Sequence, residues 1–125
     1  MDATDAPFEQ CNLYQLTLGE TQAHGGTGWI RFARVATHQT LAGACNFIDY
    51  ARLPPGATVG EHTHGEGEEE FYLILSGVGE MRLNGRVFPV RPGDLVRNPP
   101  GGTHALINTG PEELQMFVFE IQVRL

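Results

Sequence analysis

The residues of this sequence best equipped for chemistry are its histidines and the acids close to them. Three of the five histidines, His62, His64 and His104, stand out by position. One residue separates His62 from His64, and in a strand such a pair projects from one face, because side chains alternate with a period of two. An acidic stretch follows, Gly65-Glu66-Gly67-Glu68-Glu69-Glu70, and then an apolar run from Phe71 to Leu75 that reads as a strand. A strand opening with Glu70 turned inward places Tyr72 and Ile74 on the same face. His104 arrives from another strand about forty residues after His64.

Three neutral imidazoles and one carboxylate make a mixed nitrogen and oxygen donor set. It suits one divalent transition ion: iron, manganese, nickel, cobalt or zinc. Four protein ligands on a six-coordinate ion leave two positions for water, dioxygen or substrate, which separates a reactive site from a closed structural one. His24 and His38 belong to no metal-spaced pattern and are read as histidines without a metal role. Glu66, Glu68 and Glu69 read as a solvated acidic loop.

The elements that must position these groups are short strands. Sixteen glycines and eight prolines are spread along the 125 residues, the pattern of many strands joined by tight turns. Alternation predicts strands over Tyr14–Leu18, Trp29–Val35 and Ala44–Leu53, the last closed by Pro54-Pro55-Gly56. Asn84-Gly85 predicts a two-residue hairpin turn that pairs Met81 with Phe88 and Arg82 with Val87. Pro92-Gly93-Asp94 predicts a turn before a short strand, Leu95–Asn98. Leu114–Val123 is apolar on both faces along most of its length and is expected to be covered on both sides. No helical period bounded by caps is present. About nine strands imply a single all-β domain over residues 1–125, a sandwich or barrel, with residues 1–12 as a flexible arm.

Fifteen acids against eight bases give a formal net charge of −7, which disfavours nucleic acid and anionic membranes as partners. No apolar run has the length of a membrane helix, and Met1–Gln10 lacks the features of a secretory signal. A cytoplasmic protein is expected, with Cys11 and Cys45 reduced and packed as small hydrophobes.

The order of these residues resembles the cupin superfamily through both of its motifs, over about residues 44–123. The first motif is matched by Gly56, then His62 and His64, then Glu70 and, six residues further, Gly77. The second is matched by Gly93, Pro99, Gly101, His104 and Asn108 at every spacing. Five residues separate His64 from Glu70, against three or four in the family pattern, so counting forward from His64 selects Glu68 or Glu69 instead. Continuous strand from Glu70 to Gly77 favours Glu70.

The resemblance implies a double-stranded β-helix (jelly-roll) barrel, a metal held by His62, His64, Glu70 and His104, and a homodimer. It implies a metal-dependent enzyme acting on a small oxygenated molecule by Lewis-acid isomerase, cyclase or lyase chemistry. An iron-dependent dioxygenase and a non-catalytic binding module are the alternatives. Tyr72 is the candidate acid or base, with its pKa expected to be lowered beside a cation. Tyr50, Arg52 and Asn108 are candidate substrate contacts. Asn108 reads first as fixing a turn or an inner-face hydrogen bond and only then as a substrate contact, and an outward Arg52 in a surface ion pair is an equal alternative.

Overall fold

A computed structural model describes residues 8–124. Ten strands follow one another along the chain. They are β1 (Gly19–Thr21), β2 (Ile30–Thr37), β3 (Cys45–Leu53), β4 (Thr58–Thr63) and β5 (Glu68–Ser76), then β6 (Gly79–Leu83), β7 (Arg86–Val90), β8 (Leu95–Asn98), β9 (Thr103–Asn108) and β10 (Leu114–Gln122). They form two antiparallel sheets, one of six strands in the order β1-β2-β3-β10-β5-β8 and one of four in the order β4-β9-β6-β7. The two sheets pack as a jelly-roll sandwich around one core, and strand alternation sends every second side chain into it.

Register shows how the site is positioned. Three successive rows of side chains cross the inner face of the six-stranded sheet. The first holds Phe47, Glu120, Glu70 and Asn98; the second Arg34, Asp49, Val118, Tyr72 and Val96; the third Phe32, Ala51, Met116 and Ile74. In the facing sheet His62 pairs with His104, and Val59 pairs with Leu106, which pairs with Met81. One end of the sandwich is therefore polar and the rest is oil. Leu53, Ile74, Met81, Leu106 and Leu114 are all at most 1% exposed, and truncating any one to alanine costs about 2–5 kcal/mol.

The expected hairpin is present with its register: Asn84 and Gly85 have φ of 50° and 81°, and Met81 faces Phe88 while Arg82 faces Val87. Two expectations are corrected. Tyr14–Leu18 is not a strand: Leu13–Gln15 is a single 3-10 turn whose Tyr14 N–H donates to Asn12 Oδ1 at 2.9 Å. That local side-chain acceptor competes with sheet pairing. β10 buries one face, while Phe117 and Phe119 on the other are half-buried among aromatic neighbours, Phe119 stacking on Phe71 at 4.9 Å. Cys45 is half-buried as expected of a small hydrophobe, whereas Cys11 is exposed; both are free thiols. The arm expected over residues 1–12 lies largely outside the described residues; 8–12 belong to no strand or helix, and Phe8 is exposed.

Candidate metal centre

The position of His62 depends on an irregularity in its strand. Strict alternation from the buried Val59 would turn Glu61 inward and His62 out. Instead the pairing of β4 with β9 shifts between Val59 and His62, so that three steps on β4 match two on β9. This is the geometry of a bulge, which re-aims the side chains after it. His62 consequently lies opposite His104 on the inner face, and its Nδ1–H donates to the Gly60 carbonyl at 2.7 Å. That bond leaves Nε2 free as a ligand atom. His64 follows the end of β4, with its own N–H donating to the Gly102 carbonyl at 3.0 Å.

Glu70 enters from the opposite sheet. Its Oε1 lies 3.1 Å from His64 Nε2 and 3.2 Å from His104 Nε2. Ligand atoms of His62, His64, Glu70 and His104 all fall within 4.8 Å of one another. Donors about 2.0–2.3 Å from a shared ion are separated by about 3–4.5 Å, so the set fits a divalent cation in spacing as well as in chemistry. Glu69 points away and pairs with Arg97, which removes it as a ligand. Glu68 shares the inward face but groups with His64 and Glu120 at the rim, so it is more than a solvated loop residue. Glu120 Oε1 stands 3.2 Å from His64 Nδ1, a carboxylate behind a histidine that fixes its ring and raises its basicity. Among the described residues His104 Nδ1 and both amide atoms of Asn98 are buried without a partner.

Electrostatics follow from this crowding. Burial pushes the Glu70 carboxyl up, but hydrogen bonds from His104 and His64 outweigh it and hold the group at about 2. Burial brings His62 down to about 4, against its bond to Gly60, and keeps it neutral and ready to ligate. His64 moves upward because Glu70 holds its proton, against the opposing effect of burial. Burial, with the charges of Glu68 and Glu70, pushes Glu120 to about 7 despite a hydrogen bond from Asn46. Loading a cation must displace any proton that His64 carries. Protons and cation compete for one lone pair, so affinity is expected to fall as pH falls, by up to about tenfold per unit for each proton displaced. Co²⁺ titrations between about pH 8 and about pH 5 check this; a constant affinity across the range would remove His64 from the ligand set.

Tyr72 faces inward as expected, 3% exposed, with its Oη 3.1 Å from His104 Nε2. Burial and then the charge of Glu70 push its pKa well above the usual phenol value in the protein alone. The lowering expected beside a cation concerns the loaded site, where the ion would oppose both effects and ease release of the phenol proton. Beside it opens a cavity of about 180 Å³, lined in part by His24, Arg34, Asp49, Glu70, Tyr72 and Val118.

The three candidate substrate contacts do not meet there. Tyr50 and Arg52 lie on the opposite face of β3 from the cavity-lining Phe47, Asp49 and Ala51. Tyr50 is capped edge-on by Tyr14, and Arg52 Nε donates to Tyr50 Oη at 2.9 Å while Nη1 approaches Glu113 at 3.7 Å. Alternation back from the buried Leu53 sends residues 51, 49 and 47 inward, so these two must point outward. Asn108 is spent on the backbone: its Nδ2 donates to Leu53 O and Glu112 O, each at 2.8 Å, and its Oδ1 accepts from Gly110 N–H. It fixes the turn and does not line the cavity.

Besides Glu70 and Tyr72 the cavity is lined by Arg34, Asp49 and His24, which the sequence reading missed. Arg34 donates to Asp49 through Nε at 2.9 Å and Nη2 at 3.0 Å, and it lies 4.3 Å over the Phe47 ring. Burial moves the Asp49 carboxyl upward against the pull of Arg34. The same alternation from Leu53 would have found Asp49. His24, set aside on sequence, stacks on His62 with ring centroids 3.5 Å apart; His38 is exposed in the loop between β2 and β3.

Comparison with known proteins agrees with this architecture. An oxalate-binding protein of Thermotoga maritima is 35% identical over 91 residues, 73% of this chain and 74% of that protein. A solved Thermotoga maritima structure, described as a predicted oxalate decarboxylase, superposes with a TM-score of 0.85 at 29% identity, covering 90% of this chain and 97% of its own. A 5-nitrosalicylic acid 1,2-dioxygenase of Bradyrhizobium sp. is 33% identical over 66 residues, 53% of this chain but 31% of that enzyme. The Cupin domain family matches residues 49–120, which takes in β4, β5, β9 and all four metal-ligand candidates, and the chain belongs to that family.

Proposed function

We propose that this chain is a metal-dependent enzyme acting on a small carbonyl or carboxylate compound by proton transfer, in an isomerase, cyclase or lyase reaction. The observation that carries the reading is the position of Tyr72, a buried phenol 3.1 Å from His104 Nε2 at the edge of a cavity. A divalent ion on His62, His64, Glu70 and His104 would supply a Lewis acid that polarises a substrate oxygen. His104 Nε2 is at once the partner of the Tyr72 hydroxyl and a proposed ligand atom, so ligation frees the hydroxyl to donate into the cavity. Arg34 offers N–H donors and Asp49 an acceptor at the cavity wall, which suits the far end of an oxygenated molecule. The volume of about 180 Å³ is below the roughly 300–1,000 Å³ usual for drug-sized ligands, and this points to a substrate of few atoms.

A specific observation favours a second reading, recognition without turnover: the relative matched over 73% of this chain binds oxalate. The likeness to the dioxygenase spans under a third of that enzyme and gives oxygen chemistry less support. Mn²⁺-loaded protein incubated with oxalate and with small keto and hydroxy acids, followed by proton and carbon NMR, distinguishes the readings. Metal-dependent product from at least one compound is expected. Saturable oxalate binding, with every compound recovered intact, would replace the enzyme reading by the binding one.

A further inference from the structure

His24 sits where the chain has gone to some trouble to hold it. It lies within the 3-10 turn Ala23–Gly25 at φ 52° and ψ 40°, left-handed backbone that only a few per cent of non-glycine residues adopt. The segment is fastened to β4 by Thr58 N–H to Thr27 O at 2.9 Å and by Thr27 N–H to Thr58 Oγ1 at 2.7 Å. The approach is close enough to require glycine on both sides. A Cβ on Gly60 would stand 2.2 Å from the His24 carbonyl oxygen, and one on Gly26 would stand 2.5 Å from the Thr58 carbonyl oxygen. Gly60 also accepts the Nδ1–H of His62 at 2.7 Å. One residue of the β4 bulge thus fixes both the backbone that carries His24 and the ring that His24 covers.

The stack itself is informative. The two imidazoles are 3.5 Å apart between centroids and inclined by 7°, close to a full face-to-face sandwich. Two like aromatic rings disfavour that arrangement and slide or tilt instead. It becomes favourable when one ring is electron-poor, since the π face of the other is then attracted to it. Ligation of His62 through Nε2 would drain that ring in this way. Nδ1 is held by Gly60 and Nε2 faces the other ligands, so the ring face is the only route by which a further residue can act on His62.

We infer that His24 is a positioning residue of the metal centre, whose imidazole face holds the ring plane of His62 and favours its metal-bound form. The inference rests on the metal site proposed above and adds to it a group outside the four ligands. Asparagine tolerates left-handed backbone, so His24→Asn removes the ring with little change in backbone preference; His24→Phe keeps a stacking face without nitrogen.

Co²⁺ titration of the metal-free chain, read by visible absorbance, tests this. The Asn variant is expected to bind about 10–100-fold more weakly, the usual effect of losing a group that supports a ligand. The Phe variant is expected to recover most of that loss, and all three chains should have the same far-ultraviolet circular dichroism. Full-strength binding by the Asn variant, or equal weakening in Asn and Phe, overturns the inference while leaving the four-ligand site in place. A wild-type chain that takes up no Co²⁺ overturns both.

Discussion

His104→Ala is expected to leave a folded barrel that retains less than about a tenth of the metal bound by the parent chain. His104 is wholly buried, and its Nε2 lies 3.2 Å from Glu70 Oε1, at the centre of the donor cluster. Removing it takes away a quarter of the protein ligands and one of the two imidazoles that hold Glu70 ionised. The buried carboxylate then keeps only His64, and an incompletely paired buried charge costs several kcal/mol. Metal-free His104→Ala is therefore also expected to melt below the metal-free parent. Elemental analysis after chelator treatment and reloading, beside thermal melting of both forms, measures both effects. Stoichiometric metal in the variant would falsify the ligand assignment.

Tyr72→Phe is expected to slow turnover by about 10²–10⁴-fold, the worth of one well-placed proton donor, while metal content and ligand affinity change little. The substitution removes one oxygen from a buried side chain and keeps the ring that meets His104 edge-on at 5.4 Å. In the metal-free protein burial and the charge of Glu70 raise the phenol pKa, and a bound cation would pull it back down. The Phe variant should show a lower pH–rate profile, and any limb of the parental profile that it loses reports the titration of Tyr72. Unchanged kcat in the variant would remove Tyr72 from the chemistry and leave the metal site standing.

The parts of this protein legible in its sequence were those governed by local rules. Asn84-Gly85 dictates a turn type and through it the pairing of Met81 with Phe88, and the glycines and prolines mark where strands stop. The four ligand candidates were legible from spacing, because histidines two apart share a strand face. His62 shares the face of His104 only because the Gly60-Glu61 bulge corrects the phase set by Val59, and bulges leave little trace in composition. Glu70 could be chosen over Glu68 and Glu69 by its rigid register with Gly77, whereas its pairing with Glu120 is a contact between strands 50 positions apart. Arg34 and His24 escaped for the same reason, since each reaches the cavity through pairings or loop contacts distant in sequence, whereas Asp49 was within reach of the alternation from Leu53. Tyr50 and Arg52 were offered as cavity contacts, with an outward Arg52 as an equal alternative, although the alternation back from Leu53 was available to turn both outward. Asn12 defeated the Tyr14–Leu18 strand by offering the backbone a nearer acceptor than a neighbouring strand.

The candidate ligands come from both sheets: His62 and His104 from β4 and β9, and Glu70 from β5 across the core. A cation shared by them would be a rivet between two layers that already touch at that end through His104, Glu70 and Tyr72. Unfolding must separate the layers, so the ion has to leave before or with the first large opening. Free ion at a hundredfold excess over its dissociation constant adds about 2.7 kcal/mol to the folded state. When opening and closing are fast relative to cleavage, proteolysis follows the population of open chains. The lifetime of this protein in a cell would then track the local supply of its metal, and starvation for that metal would lower its abundance before any effect on its chemistry was felt.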